Sequence, residues 1–202
     1  MRTHLRASAI GWIAAAAWLT TGSESSAAER LIVRTYDTFG VTAGEITNAR
    51  TVAGAILQDA GLQVVWRDCS GGCADPLASG ELMVRIVAAP DAIVLGSLGC
   101  AVIDLQQGTG TLATVYVDRI NRLASRVGVN AGTLLGRAVA HEIGHLLLGT
   151  SRHSAAGLMR AFWSDGELQR NLAADWTWSP QDVARLTRAF AARPELGGYA
   201  LL

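Results

Sequence analysis

An excess of charge of either sign is lacking from this chain. Its 17 basic side chains balance 17 acidic ones, so no net field draws it to a nucleic acid or to an acidic surface. A membrane-spanning run is lacking too: the N-terminal apolar stretch, Ala7 to Leu19, falls short of the roughly 20 residues a spanning helix needs. Cysteine is scarce, with only Cys69, Cys73 and Cys100. The odd count leaves at least one unpaired, and no further ligands cluster with them to build a metal site. Internal repeats and linker-like stretches are missing, so the mature chain reads as one domain large enough to bury a core. Histidine is also scarce and unevenly placed. Of four, His4 stands near the N-terminus, and the other three fall between positions 141 and 153.

The N-terminus has the pattern of an export signal. Arg2 and Arg6 form a basic region, Ala7 to Leu19 an apolar one, and Ser26-Ala27-Ala28 offers small residues for cleavage after Ala28. Residues 1–28 are expected to be a signal peptide, and 29–202 a single exported domain, periplasmic or secreted, with no membrane contact once the signal is removed. An uncleaved anchor helix is the alternative. Export permits disulfides. Cys69 and Cys73 could close a small loop, or either could pair with Cys100; the sequence leaves both open.

Along the mature chain, Leu31–Tyr36 is β-branched and reads as a first strand. Thr42 and Glu45 form a capping box before a helix with Ile46, Ala49, Val52, Ala53, Ile56 and Ala60 at helical spacing, stopped by Gly61. Leu62–Trp66 reads as a second strand, parallel to the first because a helix joins them. A loop from Asp68 to Gly80 follows. Further strands are expected at Leu82–Val87, Cys100–Asp104 and Leu112–Asp118. A second long helix should run from near Asn130 to a C-cap at Gly149. Ser179-Pro180-Gln181-Asp182 is the start of a last helix carrying Val183, Leu186 and Phe190, and the tail after Pro194 is expected to be loose. Trp163, Trp176 and Trp178 could cover the core or line a pocket. The expected fold class is α+β (α/β-like). It is a twisted mixed sheet of about five strands with two long helices and a small C-terminal subdomain ending in a helix.

The second long helix carries the chemistry. It contains His141-Glu142-Ile143-Gly144-His145. Residues four apart share a helical face, so His141 and His145 can bind one metal ion, with Glu142 beside them as a general base. The plain alternative is a buried helix that happens to hold two histidines. Against it, Leu134, Leu135, Ala138, Val139, Ala140, Ile143, Leu146, Leu147 and Leu148 make the helix apolar nearly all round, hence buried. Buried polar groups need a partner, and a metal would satisfy these.

From His141 to Met159 the chain resembles the metzincin zinc metalloproteases, in particular a pared-down matrixin-like catalytic domain. The order of elements is also similar: strand, helix, four strands, motif helix, loop and final helix. The resemblance implies Zn2+ held by His141, His145 and His153, Glu142 as catalytic base, and Met159 in Gly157-Leu158-Met159 as the Met-turn residue under the metal. It implies hydrolysis of a peptide or protein substrate by a zinc-bound water, with the substrate extended along an edge strand, for which Cys100–Asp104 is the candidate. The spacing is longer than the family pattern: Gly149 follows His145 by four positions and His153 follows it by eight. A gluzincin-like zinc hydrolase would instead take Asp165 or Glu167 as third ligand. A non-catalytic zinc-stabilised exported binding module would add Cys100 or Asp165 as a fourth, and a zinc hydrolase of non-peptide amides is a further reading. The first strand begins close to the cleavage site, so no long prosegment is expected. The domain is expected to be a monomer.

Overall fold

In the computed structural model, which describes residues 29–91 and 96–191, β1 (Glu29–Asp37) is an inner strand of a five-stranded sheet. The proposed signal peptide and the tail after Pro194 lie outside the described residues. The capping box forms as the sequence predicts: the Glu45 N–H donates to the Thr42 hydroxyl, and the Thr42 N–H to the Glu45 carboxylate. It starts α1 (Ala43–Gln58), which buries Ala49, Ala53, Ile56 and Leu57. β2 (Leu62–Asp68) then returns parallel to β1.

β3 (Leu82–Val87) pairs in parallel with the other side of β1. β4 (Gly99–Asp104) and β5 (Thr109–Tyr116) form a hairpin; β5 runs parallel to β3, and β4 antiparallel to β5. The order is β2-β1-β3-β5-β4. This is the mixed sheet the sequence predicts, with β4 at one edge.

The loop between β2 and β3 is tied down twice. Cys69 and Cys73 form a disulfide, and Cys100 is free. The buried Arg34 guanidinium donates to the carbonyls of Asp75 and Pro76, at 2.7 and 2.8 Å, and pairs with Glu81 at 2.5 Å.

The stretch between the last strand and the motif helix departs from expectation. β5 ends at Tyr116, and α2 (Val117–Val127) follows without a break. It sits between the last strand and the motif helix, where the matrixin-like order has no helix. The signal was present in Val117, Ile120, Ala124 and Val127, all buried, with Gly128 as a left-handed cap. No side chain caps its start, so the sequence offered no helix N-terminus and the strand pattern ran on to Asp118.

α3 (Ala131–Leu148) is the motif helix. The Asn130 side chain accepts the Thr133 N–H at 2.9 Å, and Gly149 closes it with φ of 59°. Gly136 lets α3 cross α1 at close range, since a Cβ there would stand 2.6 Å from the Ala49 carbonyl oxygen. α3 thus lies with α1 over the sheet, and Leu134, Leu135, Ala138 and Ile143 join Val33, Val84 and Val115 in one core. Beyond it come α4 (Asp165–Arg170), a 3-10 turn (Ala173–Trp176) and α5 (Pro180–Ala191). The Ser179 hydroxyl accepts the Asp182 N–H at 3.1 Å, and the Asp182 carboxylate accepts from Ser154, joining α5 to the loop after α3.

Candidate metal centre

α3 presents His141 and His145 one turn apart on the face away from α1, and both are buried. Each ring is fixed by its Nδ1. His141 Nδ1 lies 2.9 Å from the Leu158 carbonyl oxygen, and His145 Nδ1 lies 2.8 Å from that of Thr150. A carbonyl oxygen only accepts, so each Nδ1 carries the proton and each Nε2 is left with a lone pair. The two Nε2 atoms face each other at 3.1 Å. Neither can donate to the other, so a buried pair of acceptors is left without a donor.

His153 completes the group. Its ring stacks on His141 with centroids 5.4 Å apart and stands edge-on to His145 at 4.8 Å. The three histidines offer one ligand atom each, all within 4.8 Å of one another. The extra residues in the spacing do not carry His153 away, because the helix stops at Gly149 and the loop turns back. Among the described residues this is the one such group of His, Cys, Asp and Glu. Nitrogen ligands at about 2.0–2.1 Å around a tetrahedral ion sit about 3.3 Å apart, close to the spacing of the two buried Nε2 atoms. A zinc ion fits this donor set.

The other ligands the sequence left open are engaged elsewhere. Asp165 pairs with Arg126 at 2.7 Å. Glu167 pairs with Arg160 and caps α4 through Ser164. The Cys100 thiol lies 3.2 Å from the Tyr116 hydroxyl.

Glu142 is buried beside the histidines. Burial raises its carboxyl to about 8 in the absence of a cation. Burial lowers His141 to about 4; the Leu158 carbonyl opposes this, and the other two histidines add to it. Burial lowers His145 as well, against the pull of the Thr150 carbonyl. A proton therefore satisfies the Nε2 pair poorly, and a metal cation suits it better. Gly99 on β4 makes room for the carboxylate: a Cβ there would stand 2.8 Å from Glu142 Oε1.

Met159 lies under the helix, 1% exposed. The turn that holds it is pinned by the Leu158 N–H to Thr177 O at 2.9 Å and the Ser154 N–H to Met159 O at 2.7 Å. Gly144 allows the approach, because a Cβ there would stand 2.6 Å from Met159 Sδ and 2.7 Å from the Trp178 ring. Trp178 and Trp176 belong to the core, whereas Trp163 does both jobs, packing edge-on to His141 and lining the cleft.

The cleft above the histidines has a volume of about 810 Å³. β4 and the segment before it form one wall, α2 another, and the segment Arg160–Trp163 a third. Reading of the sequence missed the α2 wall, with Arg119, Arg122 and Arg126, because it missed the helix. It also missed the exposed Phe162, for which no periodic pattern gave a signal.

The same fold occurs in proteins of known structure. The chain is similar to a zinc-dependent peptidase from Methanocorpusculum labreanum, with a TM-score of 0.52 and 14% identity over 77% of this chain and 99% of that one. It is also similar to archaemetzincin from Methanopyrus kandleri, with a TM-score of 0.50 and 13% identity over 81% of this chain and 96% of that one. At these identities the likeness is one of fold. No protein-family model and no curated protein matches the chain.

Proposed function

We propose that this protein is a zinc-dependent metallopeptidase of metzincin type that hydrolyses peptide bonds, with Glu142 as general base. The observation that carries this reading is the facing, donor-free pair of Nε2 atoms, with His153 and Glu142 gathered around it at the floor of an open cleft. His141, His145 and His153 would hold the zinc. When bound, zinc supplies a Lewis acid that acidifies a water and polarises a carbonyl. Glu142 takes the proton of the attacking water and later hands it to the leaving amine. The Leu158 and Thr150 carbonyls hold the imidazoles in the tautomer that leaves Nε2 free to ligate. The position of β4 at the sheet edge, with Gly99 to Ala101 on the cleft wall, supports an extended substrate laid along that strand. The names of the two similar structures, a zinc-dependent peptidase and an archaemetzincin, favour peptide substrates. Met159 packed beneath α3 supports the Met-turn assignment.

Export is part of the same proposal. It rests on the basic and apolar N-terminus, and the Cys69–Cys73 disulfide fits an oxidising compartment. The test is zinc content after dialysis against a weak chelator, with turnover of a peptide library measured beside it. Wild type should hold one zinc per chain and cleave. His153→Ala should lose the metal, and Glu142→Gln should keep it and lose turnover by 100-fold or more, about 10²–10⁴ being typical of general-base loss. Zinc held equally by wild type and His153→Ala would remove His153 from the ligand set.

A further inference from the structure

The walls of the cleft are unevenly charged. α2 sets Arg119, Arg122 and Arg126 along the side of the cleft, at positions i, i+3 and i+7 of one helical face, and Arg160 adds a fourth guanidinium from the segment after Met159. Glu142 is the one carboxylate among the residues that line the cavity. The acids that neutralise this wall stand behind or beside it. Asp118 pairs with Arg122 at 2.6 Å, Asp165 pairs with Arg126 at 2.7 Å, and Glu167 pairs with Arg160.

The four arginines are not equivalent. Arg119 donates to the Ser97 carbonyl at 3.0 Å and lies over the Tyr116 ring, so it is engaged in holding the rim. Arg160 is bound to the Gly157 and Asp175 carbonyls as well as to Glu167, so it buttresses the Met159 turn. Arg122 and Arg126 differ from both. Their side chains are 69% and 62% exposed, and each pairs with a single carboxylate. Ion pairs this exposed contribute little net attraction and exchange readily. A guanidinium has five N–H donors in a planar fork, more than one carboxylate occupies, so a second carboxylate can be bound at the same head group.

From this we infer that Arg122 and Arg126 form a carboxylate-recognition wall. The preferred substrates are then peptides carrying an acidic group on the α2 side of the scissile bond. The group is an Asp or Glu side chain or the substrate's own C-terminal carboxylate; both present the same planar anion to the fork. The inference rests on the peptidase reading above and sharpens it to a substrate class. It explains why a chain with no net charge places so many of its cations around one cavity.

The experiment uses the full zinc-loaded protein and matched quenched-fluorescent peptides that differ only by Glu against Gln at each position flanking the cleaved bond, in free-acid and C-amidated forms. The expected result is a kcat/KM about tenfold higher for Glu at one position, or for the free acid over the amide, as one bidentate guanidinium–carboxylate contact would give. The preference should shrink as salt is raised. In Arg122→Gln and Arg126→Gln the ratio should collapse towards one. Asp165→Asn, which removes the competing carboxylate from Arg126, should raise it. Binding of the same labelled peptides to zinc-loaded Glu142→Gln, followed by fluorescence anisotropy, should give the same ranking of Kd. A side-chain effect and a free-acid effect each support the wall and tell its two sources apart. Equal values for all pairs, or a preference that survives both arginine substitutions, would overturn it. If no peptide is cleaved at all, the peptidase reading fails, and the anisotropy ratio alone then supports or overturns the wall.

Discussion

Two imidazole nitrogens lie 3.1 Å apart, both accepting and both buried, with no donor between them. Their tautomers are set by two main-chain carbonyls, so the local backbone has already chosen which nitrogen is offered. Glu142 beside them titrates abnormally. Without a cation, burial holds its carboxyl at about 8 rather than 4.5. Between those values the folded metal-free protein keeps a proton that the unfolded chain has released, so its stability falls as pH rises through the window. His141 acts in the opposite sense and at lower pH. Its pKa of about 4 against 6.5 means the unfolded chain binds the proton first, so stability falls as pH drops below 6.5. Thermal melts of the metal-free protein should therefore show Glu142→Gln gaining on wild type as pH rises from 6.5 to 8. A difference that stays flat over that range would contradict the burial argument. Gly144 is a second single-residue constraint. Gly144→Ala places a methyl group within 2.7 Å of both Met159 Sδ and the Trp178 ring. Trp178 cannot yield easily, because its indole N–H donates to Ile56 O at 2.7 Å. Overpacking of this kind costs about 1–3 kcal/mol, which denaturant melts would read directly.

At the scale of the element, α3 is a helix that the rest of the fold must stop on time. Its last turn ends at Gly149, in the left-handed region at φ of 59°. A Cβ there would stand 2.0 Å from the Gly108 carbonyl oxygen in the β4–β5 turn. Gly149→Ala therefore meets both backbone strain and a main-chain clash, and should destabilise by more than about 2 kcal/mol. It should also weaken zinc retention, because the loop that brings back His153 starts at this residue; zinc content and a melt on one preparation would test both. α2 is the element with the opposite history. It has a good apolar face and a glycine stop, but no capping side chain, since it grows straight out of β5. The edge strand β4 was legible because it is short and flanked by turn residues.

For the whole molecule, the metal is expected to join parts that the sheet does not. The histidines come from α3 and from the loop beyond it, and that loop is tied to α5 through Ser154 and Asp182. A ligand that binds only the folded state stabilises it by mass action. Removing zinc with a strong chelator should lower Tm by several degrees in wild type, as about 1–3 kcal/mol would in a domain of this size, and hardly at all in His153→Ala. An equal Tm with and without chelator would argue against a metal that spans the two segments.

The sequence by itself determined the parts that depend on local pattern. The βαβ start, the capping box at Thr42, the motif helix from Asn130 to Gly149 and the pairing of His141 with His145 all follow from residues a few positions apart. Helical period, cap chemistry and turn residues act at that range. The tertiary structure alone decided what depends on residues far apart. It brought His153 back across a loop longer than the metzincin spacing, chose Cys73 over Cys100 as the partner of Cys69, and engaged Asp165 and Glu167 with arginines. It also set the arginine face of α2 along the cleft. In each case the outcome turns on where a loop or helix comes to rest against the sheet, and loop conformation is set by distant packing rather than by the loop's own residues.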